Sequence, residues 1–133
     1  MSTYHNTVEY ITIDTPGNVT DFGNLTDGRY GLGAASNGTR GVFAGGRNST
    51  VNTNTIDYIT INTTGNATDF GDLTAICVGL ARNCQDGTRG VFGSVSAGAS
   101  NIIEYITIST PGNSTDFGDL TTSRDYMGGL AGD

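Results

Sequence analysis

Short runs of isoleucine, valine, tyrosine and phenylalanine alternate along this chain with clusters of glycine, threonine, asparagine and aspartate. The clearest run is Ile56-Asp57-Tyr58-Ile59-Thr60-Ile61, followed after a short turn by Thr68-Asp69-Phe70-Gly71-Asp72-Leu73. The same pair of runs occurs at Val8–Ile13 with Thr20–Leu25, and again at Ile103–Ile108 with Thr115–Leu120. Tyr10, Tyr58 and Tyr105 are spaced 48 and then 47 residues apart. In an extended strand successive side chains point to opposite faces, so Val8, Tyr10 and Thr12 share one face and Glu9, Ile11 and Ile13 the other. Both faces carry apolar residues, which fits a strand packed between two neighbouring sheets.

Turn chemistry separates the runs. Thr15-Pro16-Gly17-Asn18 reads as a type II turn with Pro second and Gly third, and Thr110-Pro111-Gly112-Asn113 repeats it. The middle copy has Thr64 in place of Pro and keeps Gly65. The small-residue run Tyr30-Gly31-Leu32-Gly33-Ala34-Ala35 is followed by Asn37-Gly38, a two-residue hairpin signal that Asp86-Gly87 repeats. The returning strands are Thr39–Gly46, containing Arg40, and Thr88–Ser94, containing Arg89. Each repeat thus holds four strand-like pieces, and a repeat period near 50 made of short strands is the mark of propeller blades.

These pieces divide residues 1–133, as a single repeat module, into a partial blade at 1–26, blades at 27–74 and 75–121, and an extra inner strand at 122–133. The expected fold is all-β, with about three four-stranded repeats of ~48 residues, incomplete at both ends. The expected core is Tyr10, Tyr58, Tyr105, Phe22, Phe70, Phe117, Phe43 and Phe92.

A small-residue strand, a hairpin, a strand ending in Gly45-Gly46, a tyrosine strand, an aromatic strand and then an arginine resemble the kelch repeat. Phe22, Phe70 and Phe117 stand where kelch blades carry Trp. Arg29 and Arg124 stand at the kelch arginine, which Cys77 replaces in the middle copy. The doublet is intact at Gly45-Gly46 and becomes Gly93-Ser94 in the later copy. The fuller wording of the repeats is similar to arrays in virion structural and tail-fibre proteins of aquatic tailed phages. That resemblance implies a structural or attachment role in a virion or another extracellular setting.

Composition narrows the function classes. The chain carries six arginines, no lysine, thirteen acidic residues and a net charge of -7. Nucleic-acid binders carry basic stripes, so nucleic acid is not an expected partner. No run of about 18 apolar residues offers a membrane span, and no basic-then-apolar leader marks a secretory signal. Only 14% of residues are charged, whereas disordered chains are usually charge-rich and poor in β-branched residues.

Candidate chemistry is sparse. His5 is the only histidine and lies near the N-terminus, which leaves a nucleophilic triad without a positioned base. Cys77 and Cys84 form no CxxC pattern, and with one distant histidine they fall short of four zinc ligands. Seven residues of extended strand span about 23 Å, too far for a disulfide between them. The acids Glu9, Asp57 and Glu104, and likewise Asp21, Asp69 and Asp116, recur once per repeat. They are expected to be structural partners of Arg40 and Arg89, with calcium binding as a minor alternative. Seven Asn-x-Ser/Thr triplets occur, three of them one repeated turn.

The expectation is a non-enzymatic structural module without catalytic residues, cofactor or metal, whose main partner is itself. Two complete blades and two fragments leave sheet edges and apolar faces open, which invites association. The expected surfaces are Val8, Tyr10 and Ile11 at one end and Tyr126, Met127 and Leu130 at the other, joined into a ring or a filament. Tyr58, Tyr105, Phe22, Phe70, Phe117, Arg40 and Arg89 are the expected structural repeat positions. The alternative is a carbohydrate-binding propeller whose polar loops, such as Arg47 to Asn54, recognise a surface glycan.

Overall fold

The computed structural model describes residues 4–77, 83–93, 100–124 and 128–132. Every regular element among them is a β-strand, and the strands form three antiparallel sheets. Sheet I pairs β1 (Thr7–Tyr10) with β2 (Thr20–Asn24). Sheet II runs in chain order through β3 (Gly33–Ser36), β4 (Arg40–Ala44), β5 (Thr53–Thr60) and β6 (Thr68–Cys77). Sheet III repeats that order as β7 (Asn83–Gln85), β8 (Arg89–Gly93), β9 (Ser100–Thr107) and β10 (Thr115–Arg124). The chain is therefore all-β, and no helix of the described residues is long and apolar enough to cross a membrane. Strands β6 and β10 run past residues 74 and 121, where the repeat pattern alone put the ends of two blades. Tyr126 and Met127 lie outside the described residues.

The hairpins follow from their turn residues. Between β3 and β4 the loop is centred on Gly38 and Thr39, one step later than Asn37-Gly38 suggests. Gly38 takes φ +80°, open to glycine at little cost, while the Asn37 side chain accepts the N–H groups of Thr39 (3.1 Å) and Arg40 (2.8 Å). Between β7 and β8 the carboxylate of Asp86 does the same for Thr88 (2.8 Å) and Arg89 (2.7 Å). Those donors, the Arg89 N–H foremost, hold the Asp86 carboxyl below its ordinary value.

The Pro-Gly-Asn segments are not type II turns. The chain reverses earlier, through bonds from Thr15 N to Thr12 O, Thr63 N to Thr60 O and Thr110 N to Thr107 O. Gly65 and Gly112 follow at φ 158° and 159°, close to extended, where a type II turn would need about +80°. The pairs Gly65-Asn66 and Gly112-Asn113 are thus freed from the turn and pack against a neighbouring sheet.

Sheets II and III enclose the main core. Ala35, Val42, Ala44 and Ile56 of sheet II share one apolar cluster with Phe92, Ile106 and Ile108 of sheet III. Phe22, Phe70 and Phe92 are buried, as the pattern predicts, and Tyr58 and Tyr105 are half-buried. Tyr10 and Phe117 correct it: they are 43% and 54% exposed. Phe117 lies in the last strand, so nothing among the described residues covers the side that sheet III covers for Phe70. Tyr10 faces the groove between sheets I and II, and its two-stranded sheet has no counterpart of β4, whose Arg40 lies over Tyr58. Phe43 is half-buried for a related reason: it pairs with Asp57 and so lies on the face of sheet II turned to sheet I, which has only two strands.

Identical motifs in different surroundings should respond differently to truncation. Phe70→Ala is expected to cost about 3–5 kcal/mol, because the ring is 3% exposed and leaves a cavity. Phe117→Ala is expected to cost less than about 1 kcal/mol. Urea unfolding of the two variants against the parent chain checks the contrast.

Candidate functional site

The sheets are joined by a repeated docking arrangement. At the junction of sheets II and III, the Gly112 N–H donates to Phe70 O (2.7 Å) and the Ser114 N–H to Asp72 O (2.9 Å). In return the Asp72 N–H donates to Asn113 Oδ1 (3.0 Å). The glycine-asparagine segment after β9 therefore pairs with the outer edge of β6, satisfying backbone groups that an edge strand leaves open. The same bonds recur between sheets I and II, from Gly65 N to Phe22 O (2.7 Å), Ala67 N to Asn24 O (2.8 Å) and Asn24 N to Asn66 Oδ1 (3.0 Å).

Close approach at these places requires glycine. A Cβ on Gly23 would lie 2.2 Å from Gly65 O, and one on Gly71 would lie 2.5 Å from the Gly112 carbonyl. Both distances are far below any van der Waals contact. This accounts for the glycine in the first two Asp-Phe-Gly runs.

The acids beside the tyrosines complete each junction. Asp57 is fully buried and accepts the Thr26 N–H (3.2 Å) and hydroxyl (2.7 Å) from the neighbouring sheet. Arg29, whose side chain is also fully buried, reaches the same carboxylate at 2.9 Å. Glu104 is fully buried as well, and accepts the Thr74 N–H (3.1 Å), the Thr74 hydroxyl and the Ser114 hydroxyl (2.6 Å). Cys77 occupies the place that Arg29 has in the preceding repeat, so three neutral donors hold this carboxylate where a cation holds the other.

Arg40 and Arg89 are placed otherwise than the pattern predicts. The ion pair to Asp57 is made by Arg29, and Arg40 instead lies over the Tyr58 ring at 4.6 Å. Its guanidinium also donates to Ser109 O (2.7 Å) and Ile108 O (3.4 Å), tying sheet II to the turn after β9. Arg89 lies over the Tyr105 ring at 4.4 Å. Each arginine thus caps a tyrosine by a cation–π contact, and each tyrosine meets its phenylalanine edge-on, Tyr58 with Phe70 and Tyr105 with Phe117. Phe22 makes the same contact with Tyr10.

Of the expected association residues, Tyr126 and Met127 lie outside the described residues. Val8, Tyr10 and Ile11 line a groove of about 470 Å³ between sheets I and II, together with Phe22, Phe43 and Ile61. Ile61 is 38% exposed there, whereas its counterpart Ile108 is fully buried between sheets II and III. Leu130 is 96% exposed. His5 is exposed, Cys77 is buried and Cys84 half-buried, and no disulfide joins the two cysteines. Among the described residues no three His, Cys, Asp or Glu side chains gather as metal ligands would.

The pattern missed Thr26, Thr74, Asn66 and Asn113 as junction residues. Their recurrence in step with the acids was the available signal. Replacing the buried Asp57 with Ala should cost about 3–5 kcal/mol, because it strands the Arg29 cation. Glu9→Ala, at the exposed equivalent position, should change stability by less than about 0.5 kcal/mol. Thermal or urea unfolding of both variants tests the assignment. Compared with protein-family models and with curated proteins, the chain matches none.

Proposed function

We propose that this chain is a non-catalytic structural module of kelch-like propeller blades that self-associates, as a ring or a filament, in a virion or another extracellular assembly. One observation carries the reading: the face of sheet II turned to sheet I is incompletely covered. Phe43, Ile59 and Ile61 correspond to Phe92, Ile106 and Ile108, which are buried at 0, 2 and 0% exposure by a four-stranded neighbour. Sheet I offers two strands, and the apolar groove remains. Exposed apolar surface of this kind, bordered by unpaired strand edge, marks an interaction site.

Within the chain, the segment leaving the fourth strand of sheet II goes on to supply the first strand of sheet III. The sequence after β10 carries Gly128 and Gly129, small residues that suit close packing. In the structure a Cβ on Gly129 would sit 3.0 Å from Asn83 O, beside β7. In an assembly this segment would lie along the short sheet of another copy. The wording of the repeats supports a virion setting, and the blade-by-blade recurrence of the acids supports a structural role over an asymmetric active site.

Sedimentation of the purified chain should show a mass above that of one copy, rising with concentration. Deleting residues 126–133 should lower that mass while the far-UV spectrum stays β-type. A chain that remains a single copy at millimolar concentration overturns the reading.

A further inference from the structure

The two internal junctions use one set of positions, and both unmated halves of a third junction are present at opposite ends of the chain. On the donor side, Phe22, Gly23, Asn24 and Thr26 of sheet I correspond to Phe70, Gly71, Asp72 and Thr74 of sheet II, and to Phe117, Gly118, Asp119 and Thr121 of sheet III. In sheet III nothing lies within 4 Å of the place a Cβ on Gly118 would take, and Phe117, Asp119 and Thr121 are exposed. On the receiving side, Gly65, Asn66 and Asp57 correspond to Gly17, Asn18 and Glu9. Again nothing lies within 4 Å of a Cβ on Gly17, and Glu9, Asn18 and Val19 are exposed.

We propose that β10 of one copy docks on the Pro16–Val19 segment and Glu9 of a second copy, reproducing the internal junction between molecules. The proposal rests on the self-association reading and names its contact. The Gly17 and Val19 N–H groups donate to Phe117 O and Asp119 O, Asn18 Oδ1 accepts the Asp119 N–H, and Glu9 accepts from Thr121. The charges fit. Arg124 stands at the position of Arg29, whose partner Asp57 corresponds to Glu9. Arg89 stands at the position of Arg40, which grips the Ile108 and Ser109 carbonyls, and their counterparts on the next copy are Ile13 and Asp14. The third junction thus combines the arginine–carboxylate pair of the first with the arginine staple of the second. Its two halves are different surfaces, so the contact is heterologous and propagates from copy to copy until it closes.

The test uses the full chain carrying one substitution at either end. Glu9→Arg sets a cation against Arg124, and Thr121→Glu sets a carboxylate against Glu9. Each alone should weaken association by about 30-fold or more, the range for breaking a desolvated charged contact. Thr121→Ala is a second tail variant, which removes the hydroxyl donor to Glu9 without adding a charge. Because Glu9 and Thr121 are exposed, far-UV spectra should match the parent. Mixing the Glu9→Arg chain with either tail variant should restore association, since each supplies the half that the other has lost. If the parent associates and the single variants do so equally well, the contact lies elsewhere and this proposal is wrong while self-association stands. If the variants are single copies but the mixture stays dissociated, the head-to-tail pairing is wrong. A parent that never associates removes both.

Discussion

The structure depends on a backbone contact that tolerates no side chain: the glycines of the first two Asp-Phe-Gly runs, Gly23 and Gly71, pressed against the carbonyl of the next sheet's glycine. With Gly71 at this distance from Gly112, the N–H of the glycine-asparagine segment can reach the outer edge of β6. An edge strand with open donors and acceptors is ordinarily a liability. Here it becomes the joint, and the buried carboxylate and threonine lock it from one side. A β-branched residue at the glycine would move the sheets apart and leave Asp57 or Glu104 buried without its donors, which low local polarity makes expensive.

Much of the fold was legible in the sequence because its signals are local. Alternation, glycine-bearing hairpins and the 48- and 47-residue spacing of tyrosines determine the strand order and the all-β class. Legibility fell where a residue's role depends on a neighbouring sheet. Phe70 and Phe117 have the same local sequence, yet one is buried and the other exposed, because burial is conferred by whatever stands next to the strand. The arginines show the same limit. No local signal marks either Arg29 or Arg40 as the partner of Asp57, and only the packing of sheet I on sheet II decides which reaches it. Gly17, Gly65 and Gly112 carried a turn signal from Pro and Gly that is real in composition and misplaced in position, since the reversal happens at the threonines before them.

The junctions also differ in chemistry while sharing geometry. Asp57 is neutralised by a buried guanidinium whose Nε and Nη1 have no partner among the described residues, whereas Glu104 is held by hydroxyl and amide donors. A buried ion pair gains little net free energy once desolvation is counted. Conserved geometry on changed chemistry therefore says that the joint itself, rather than any one charge pair, is what each repeat has to supply.

That joint has a consequence for how the chain folds. Bonds inside a sheet link strands that follow one another, across hairpins as short as the one at Gly38, while the junction bonds span 42 residues between Asn24 and Asn66 and 41 between Asp72 and Asn113. Loop-closure cost grows only slowly with length but is met before a distant contact returns anything. Each sheet is accordingly a local kinetic unit, and the junctions form as neighbours meet, in the manner of a one-dimensional array whose cooperativity resides at the interfaces. Growth of such an array has no built-in last step: every sheet that docks presents the edge on which the next one can dock.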